Sequence, residues 1–512
     1  MAIQKALLLF FLVIALLPLE AQNHGLIKGR VVDAISNEPI AFVTVWLKSK
    51  EEIYGLVTNF DGDFQLPVEY RNSSDSVLFS CIGYLTKKIL PQQLMEGQLN
   101  ILKLSPSTLV LNEVTVVAKK KKLSADQIVS RAIERITQNC MASPYSYVAY
   151  YRDYQLMDSS YLNLNEGIVE VFDQGITSND AEKTKLSLRQ YKRNTSFQRD
   201  STIAIAYDNK VGNKFIPGAT IFPFGGNELA ILRIHDAIRN YRVQTYSFVN
   251  QLSDDFIKNH FFKMEGISSL DNVNLYRITF SARYAVTGAN YSAEGTIYIE
   301  KGNYAIHKLE YSGFFKDKLL YRITVEYARH QEKMTLNYIS FYNIFDFRKP
   351  DSFKVLDISY NPISNAFQFQ LSHQPELGSA LDINNYDLRF DGKKLRIKNI
   401  QVLPPLALES KYRIQVFLTS NLIPIHEKPV NLAARIKAEI TNVKDLNGEV
   451  IHGFHLVNMK QFRELFVENL TPPKLIADSL TLDKNRPLDE NQVKTDLNFD
   501  VSKYWMNTPL KR

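Results

Sequence analysis

Between Gly25 and Leu104 the chain alternates short apolar runs with turn residues, and this restricts the segment to a small all-β fold. Val31, Val43, Val45, Leu47, Val57, Phe64 and Leu66 fall at period-two spacing, which turns them to one buried face. Ser36-Asn37-Glu38-Pro39 separates the first two strands. Asp61-Gly62 stands between Leu56–Thr58 and Asp63–Leu66, where an Asp-Gly pair predicts a hairpin. Gly83 in Cys81-Ile82-Gly83-Tyr84 predicts a bulge or tight bend between two further strands, and Leu99–Leu104 closes the set. About seven strands in roughly 80 residues fits a sandwich.

Four segments of this region carry a family pattern: Gly29-Arg30-Val31-Val32-Asp33, Glu38-Pro39-Ile40, Thr58-Asn59-Phe60-Asp61-Gly62-Asp63-Phe64 and Ile82-Gly83-Tyr84. In order and spacing they resemble the carboxypeptidase-like regulatory domain. That resemblance implies a transthyretin-like β-sandwich at the N-terminus of a cell-envelope protein of Bacteroidetes type. It brings no peptidase catalytic residues and names no substrate. TonB-dependent receptors have a similar N-terminal domain and a segment like Leu111-Asn112-Glu113-Val114-Thr115-Val116-Val117. A receptor needs a plug and a barrel of about 22 strands, and too little chain follows Ala118. Asp61 and Asp63 do not make a calcium loop, which needs oxygen ligands at further alternate positions where Phe64 and Leu66 stand. Asp61 reads as a turn residue and Asp63 as a solvated strand end.

Residues 1–21 read as a secretory signal peptide. Lys5 gives the positive start, Ala6–Leu17 is an apolar run too short to span a bilayer, and Leu19-Glu20-Ala21 offers a cleavage point before Gln22. A retained anchor is the alternative. No later stretch has the ~18–20 apolar residues of a spanning helix, so no transmembrane helix is expected after cleavage. No cysteine lies near the signal to carry a lipid. The expected location is the periplasm or outer membrane. The mature chain is too long for one core and predicts about three domains. A formal charge of +7 is mild, and no nucleic-acid partner is expected. Part of that charge is Lys119–Lys122, read as a solvated linker with anionic lipid or polysaccharide as the other reading. Cys81 and Cys140 fall in different predicted domains; export permits a disulfide and the spacing does not imply one. Cys81 reads as a buried thiol.

The domain boundaries read from this pattern are 25–105 for the regulatory sandwich, 106–123 for a basic linker and 124–350 for an α+β domain with a large antiparallel sheet. A C-terminal Ig-like sandwich follows at 353–452, then an extended tail at 453–512. The fold class is therefore mainly β and multidomain. Ser124 and Gln127 have capping-box spacing and open a helix to Cys140, with Ile128, Val129, Ala132, Ile133 and Ile136 on one face. Tyr145–Arg152 and Tyr161–Phe172 read as aromatic strands, and Glu166 and Glu170 share a face of the second. Strands are predicted at Val243–Val249, Leu275–Ala282, Ala293–Glu300, Ala305–Ser312, Leu320–Ala328 and Thr335–Phe345, with a hairpin turn at Gly302-Asn303 and a short helix around Glu228–Arg239. This section resembles the middle of other envelope proteins with the same N-terminal domain, through Tyr151-Arg152 and Gly295–Ile299.

Ala380–Leu388 with its Asn385-Tyr386 strand is followed by an Asp391-Gly392 turn, strands at Leu395–Leu403, Tyr412–Leu418 and Ile436–Ile440, and the turn Asp445-Leu446-Asn447-Gly448. Together they resemble bacterial Ig-like adhesion or scaffold modules, in which an Asn-Tyr strand and a terminal Asp-x-x-Gly-Asn turn recur; Glu449 stands where Asn is usual. Phe462–Leu470 reads as strand or helix, Pro472–Leu497 as an extended wrap, and Tyr504-Trp505 as its docking point. His373-Gln374-Pro375-Glu376 has the His-x-x-Glu spacing of a metallopeptidase, but no His follows His455 to supply the distant third ligand. His452 and His455 sit at a domain edge without a helix to present them. Glu166 and Glu170 read as a polar strand face rather than an acid–base pair. No nucleophile elbow, P-loop or dinucleotide fingerprint occurs. No catalytic, cofactor-binding or metal residue is assigned from the sequence, no cofactor is expected, and the ligand-binding residues are unknown. The expectation is a non-enzymatic exported envelope protein that binds or scaffolds with an envelope partner. The other readings are a glycan- or lipid-like-ligand-binding accessory of an uptake system, and a hydrolase of unrecognised fold.

Overall fold

The computed structural model describes residues 25–510 except 49–52, 73–75, 108–122, 158–159, 202, 204–213, 216–226, 331, 351, 406–411, 422–434, 497–498 and 505. The signal peptide, nearly all of the basic linker and Trp505 lie outside the described residues. The chain divides into two compact units. One is Met1–Ala206, Ile216–Phe345 and Lys460–Arg512; the other is Tyr207–Phe215 and Asp346–Met459.

In the first unit, the period-two segment forms its seven strands: β1 (Leu26–Asp33), β2 (Thr44–Lys48), β3 (Ile53–Val57), β4 (Asp63–Pro67), β5 (Val77–Ser80), β6 (Lys87–Ile89) and β7 (Leu99–Leu104). They make two sheets, β4-β1-β7 and β3-β2-β5-β6. Val31, Val43, Val45, Leu47, Phe64, Leu66, Val77 and Phe79 fill the space between them. The Asp61-Gly62 hairpin is corrected. β3 pairs with β2 and β4 pairs with β1, so the turn carries the chain from one sheet to the other. Gly62 is needed all the same: its φ is +72°, and a Cβ there would lie 2.5 Å from the Val31 carbonyl oxygen. Asn59 Oδ1 accepts the Asp61 and Asp63 N–H groups and shapes the corner. Asp63 is not solvated. It is buried and paired with Arg30 at 2.6 Å.

Next comes the helix Ala125–Glu134, capped by Ser124 and Gln127 as the spacing predicts, with Ile128, Val129, Ala132 and Ile133 buried. It breaks at Arg135 before a short turn, Ile136–Asn139. The strands that follow are β8 (Tyr145–Met157), β9 (Ser160–Asp173), β10 (Lys185–Arg193), β11 (Lys214–Phe215), β12 (His260–Leu270), β13 (Val273–Ala282), β14 (Tyr291–Glu300), β15 (Ile306–Phe315), β16 (Lys318–His330) and β17 (Lys333–Pro350). The predicted Val243–Val249 strand is absent. Ser247 and Asn250 take positive φ, and the Thr245 N–H closes on the Asn250 carbonyl, so Tyr246 and Val249 are buried anchors of a loop.

The second unit holds β18 (Val355–Asn361), β19 (Ala366–Leu371), β20 (Tyr386–Phe390), β21 (Lys393–Lys394), β22 (Ile397–Leu403), β23 (Tyr412–Leu418) and β24 (Ile436–Ile440). Sheets β18-β19-β23-β22 and β21-β20-β24 enclose Phe367, Phe369, Tyr386, Leu388, Ile414 and Val416, the sandwich that was expected. Asp391 and Gly392 both take positive φ, as a two-residue hairpin turn requires.

The chain does not run from there into a tail. Phe454–Thr471 is β25, and it inserts into the middle of the large sheet, whose order is β10-β9-β8-β25-β17-β16-β15-β14-β13-β12. The extended wrap begins at Pro472. Its Leu482 and Lys494 N–H groups donate to the Leu186 and Leu188 carbonyls of β10, so the wrap covers a sheet edge that would otherwise be open. Among the described residues no helix is long and apolar enough to cross a membrane.

Around β8 and β9 both faces of the sheet are buried, whereas β12–β14 leave one face open. Tyr147, Ala149, Tyr151, Val169, Val171, Leu465 and Val467 lie on one face, under the capped helix, Leu229 and Leu232 of the short helix Glu228–Ile234, the loop anchor Tyr246, and Phe256 of the helical turn Phe256–Asn259. Val148, Tyr150, Ile168, Tyr338 and Phe466 lie on the other, under Phe42 and Val57 of the regulatory domain and Phe499, Tyr504 and Met506 of the wrap.

Candidate functional site

Where the regulatory domain meets the sheet, an aromatic cleft of about 380 Å³ remains. The intersheet corner before β4 presents Phe60 and Asp61, and the turn before β2 presents Phe42. The sheet contributes Tyr161 from β9, Arg322 and Thr324 from β16, Tyr342 from β17 and Lys460 and Phe462 from β25. The rings form two groups, one around Phe462 and one around Phe42. Phe462 lies 5.1 Å from Tyr154, 4.6 Å from Tyr342 and 5.9 Å from Phe60, and Phe42 stacks on Tyr338 at 4.8 Å. Tyr161 donates to Asp61 at 3.3 Å, and burial holds its phenol well above the ordinary value, so it stays a donor. Phe60 remains 48% exposed beside buried rings. Phe42 has φ of +61°, a strained backbone for a bulky aromatic. Such strain persists only where surrounding contacts over-determine it, and it gathers at ligand clamps.

Beneath the cleft lies a buried polar latch. Arg152 of β8 donates from Nε to Glu464 of β25, and its guanidinium lies 4.7 Å from the Phe466 ring centroid. Tyr338 donates to the other Glu464 oxygen at 2.9 Å. Glu166 accepts from Tyr150 at 2.6 Å, from Asn194 at 2.7 Å and from Thr508 at 2.7 Å. Asn507 accepts the Gln65 N–H at 3.0 Å, donates to the Val57 carbonyl at 3.1 Å and receives Arg152 Nη1 on its own carbonyl at 3.5 Å. One tail residue therefore touches both the regulatory domain and the sheet. Glu170 is held by Arg189 at 2.6 Å and Lys474 at 3.1 Å. Glu166 and Glu170 do share a face, but that face is buried, and each carboxylate is occupied by its own partners.

A second ionic cluster lies on the opposite face. Arg239 pairs with Asp173 at 2.9 Å, Arg233 pairs with Asp180, and Asp236 accepts from Tyr327 at 2.9 Å. Burial alone would raise the Asp180 carboxyl, but Arg233 and Arg239 bring it below the ordinary range. At Asp236 burial outweighs the hydrogen bonds from the Arg239 N–H and Tyr327, and the carboxyl is pushed up to about 6. The free space there is about 10 Å³, at most one water, so the cluster ties loop to sheet and has no room for a substrate.

The His-x-x-Glu pair is separated. Glu376 caps a short helix by accepting the Gly378 and Ser379 N–H groups, while His373 faces Asp445 at 3.5 Å. His452 lies beside the Val355 N–H at 3.5 Å; the His455 side chain is outside the described residues. Cys81 and Cys140 are free thiols, both pushed by burial up to about 12. The cleft residues went unnoticed in the sequence because they come from separate strands. Their only local trace is the density of Tyr and Phe.

Residues 27–116 match the CarboxypepD_reg-like domain family, and this part of the chain is a regulatory-like domain. No curated protein matches the chain. Among solved structures, a DUF1329 family protein from Desulfovibrio piger is similar at 9% identity and a TM-score of 0.19, covering 43% of this chain and 86% of that one. A calcium-stabilised ice-binding adhesin of an Antarctic bacterium aligns at 7% identity and a TM-score of 0.09, covering 82% of this chain and 89% of that one. At these scores neither likeness carries an argument.

Proposed function

We propose that this is an exported cell-envelope protein that binds an amphipathic, lipid-like ligand and performs no chemistry on it. The observation that carries the reading is the cleft: five aromatic rings, Phe42, Phe60, Tyr161, Tyr342 and Phe462, with Arg322 and Lys460 among them to meet an anionic head. Binding sites favour such concave apolar surfaces at domain junctions with a few convergent polar groups. The non-catalytic reading is supported by the regulatory domain and by the buried carboxylates, which are engaged by arginines, hydroxyls and amides. The signal-like residues 1–21 support export to the periplasm or outer membrane, with an envelope partner still to be identified.

The test is titration with a fluorescent fatty acid. One molecule should bind per chain, and Phe60→Ala and Tyr342→Ala should each weaken binding tenfold or more without a matching loss of fold. No binding, or equal binding by both variants, would refute the site. Preferential binding of neutral oligosaccharides would favour a glycan ligand instead. Cell fractionation checks the location, and a cytoplasmic species that retains Met1 would contradict it.

A further inference from the structure

We propose that His373, Asp445 and Glu449 of the sandwich unit form a site for one divalent ion of the zinc class, which cross-links the turn Asp445–Glu449 to the segment after β19. The three residues each turn one ligand atom to a common point, all within 4.8 Å of one another. His373 Nδ1 lies 3.5 Å from Asp445 Oδ2. Zinc bonds of about 2.0–2.2 Å place neighbouring tetrahedral donors about 3.3–3.6 Å apart, so this pair already has the spacing of two ligands on one ion. The nitrogen is itself buried and makes no hydrogen bond among the described residues, so it is not simply the donor of a well-formed imidazole–carboxylate pair.

The surrounding structure orients the donors. Asp445 Oδ1 accepts the Asn447 and Glu449 N–H groups, both at 2.9 Å, which directs Oδ2 toward His373. Glu449 Oε2 accepts Ser352 Oγ at 2.8 Å and the Ser352 N–H at 3.0 Å, which hold the side chain beside the loop. Asp445 Oδ1 is anchored by two N–H groups, while Oδ2, which accepts Asn447 Nδ2 at a long 3.5 Å, faces His373. Such outer-shell partners orient metal ligands. Gly448, with φ of +86°, turns the loop so that positions 445 and 449 face the same way. The Glu376 N–H donates to the Lys444 carbonyl at 2.8 Å and holds the His373 segment against that loop.

Two carboxylates and a neutral imidazole make a net charge that a dication offsets. The imidazole selects zinc-class metals over calcium or magnesium, which take oxygen donors. Glu449, the residue that departs from the usual Asn of the Ig-like pattern, supplies the third ligand. A glutamate rotation completes the set, and water takes the fourth position.

The experiment uses the full chain, stripped with a chelator and titrated with zinc chloride and separately with calcium chloride, with metal content measured by mass spectrometry. Zinc should bind at one per chain and raise the thermal midpoint, with calcium far weaker. Asp445→Asn keeps the Oδ1 acceptor, and with His373→Gln it should weaken zinc binding tenfold or more, while His452→Ala binds as the parent does. Folding of each variant is checked by its metal-free melting curve, which should overlay the parent's. Absence of one-to-one zinc binding, undiminished binding in both His373→Gln and Asp445→Asn, or a preference for calcium would each overturn the proposal. The outcome is independent of the aromatic cleft, since Phe60→Ala leaves these ligands in place.

Discussion

Around β8 and β9 the two faces of the large sheet are buried by different chemistry. The face under the capped helix and the 227–259 segment is an apolar core tied by buried ion pairs, Arg239–Asp173, Arg233–Asp180 and Arg463–Asp153. The face under the regulatory domain and the wrap carries aromatic rings, the Arg152–Glu464 pair and the saturated Glu166. The first is covered by neighbouring chain, the second by segments from opposite ends of the sequence. Apolar packing alone would let a docked domain slide or tilt. Hydrogen-bonded buried charges add little net stability but penalise misaligned arrangements. Here Asn507, which receives Arg152 on its carbonyl and bonds Gln65 and Val57, links the charged layer to the regulatory domain.

Three substitutions or conditions sharpen that contrast. Arg152→Ala leaves Glu464 buried without its cation and should cost about 3–5 kcal/mol in urea unfolding. A loss below about 1 kcal/mol would make the latch ornamental, since that is the range of exposed pairs. Leu465→Ala, one residue along β25 but on the opposite face, should cost about 2–5 kcal/mol by cavity formation, with the regulatory domain still docked. Equal undocking by both variants would erase the distinction between the faces.

The third test is pH. Burial lowers His235 and His260 from 6.5 to about 4. The folded state therefore binds fewer protons than the unfolded chain between those values. Their stabilisation is full above pH 6.5 and is lost as pH falls toward 4, by up to about 3 kcal/mol each. Asp236, raised from 3.8 to about 6, acts in the opposite sense: its contribution is present at low pH and is lost as pH rises through 6. Two histidines against one aspartate predict lower stability at pH 4.5 than at pH 7, and His235→Gln should flatten the slope. A rise in stability on acidification would contradict the assignment.

The regulatory domain was legible in the sequence because its strands pair within one short segment. Even there, Asp61-Gly62 announced a turn but not that its flanking strands join different sheets. In the large sheet, β10 and β12 were missed. Each carries a bulge, at Leu188/Gln190 and at Met264/Gly266, that breaks strict alternation. β25 was half-read because its partners β8 and β17 are distant in sequence, so nothing local told strand from helix. Buried charge was misread in the same way: Glu166, Glu170 and Asp63 look like solvent-facing residues until their arginine, amide and hydroxyl partners arrive from elsewhere. At position 373 the spacing pointed to Glu376, while the fold supplies Asp445 and Glu449. No spacing rule links the cleft's rings: Tyr161, Tyr342 and Phe462 come from three strands far apart in sequence, and Phe42 and Phe60 join them from the regulatory domain.

The central claim is that Asn507 and the residues around it latch the regulatory domain to the sheet. Hydrogen exchange of the full chain against Asn507→Ala tests it most directly, because the substitution strips the Gln65 N–H and Val57 carbonyl of their partner at a cost of about 1–3 kcal/mol. Faster exchange at Val57–Leu66 and Val148–Tyr150 together, with the capped helix Ala125–Glu134 unchanged, is the predicted result. Unchanged exchange at both segments, or loosening confined to the tail itself, would contradict the latch.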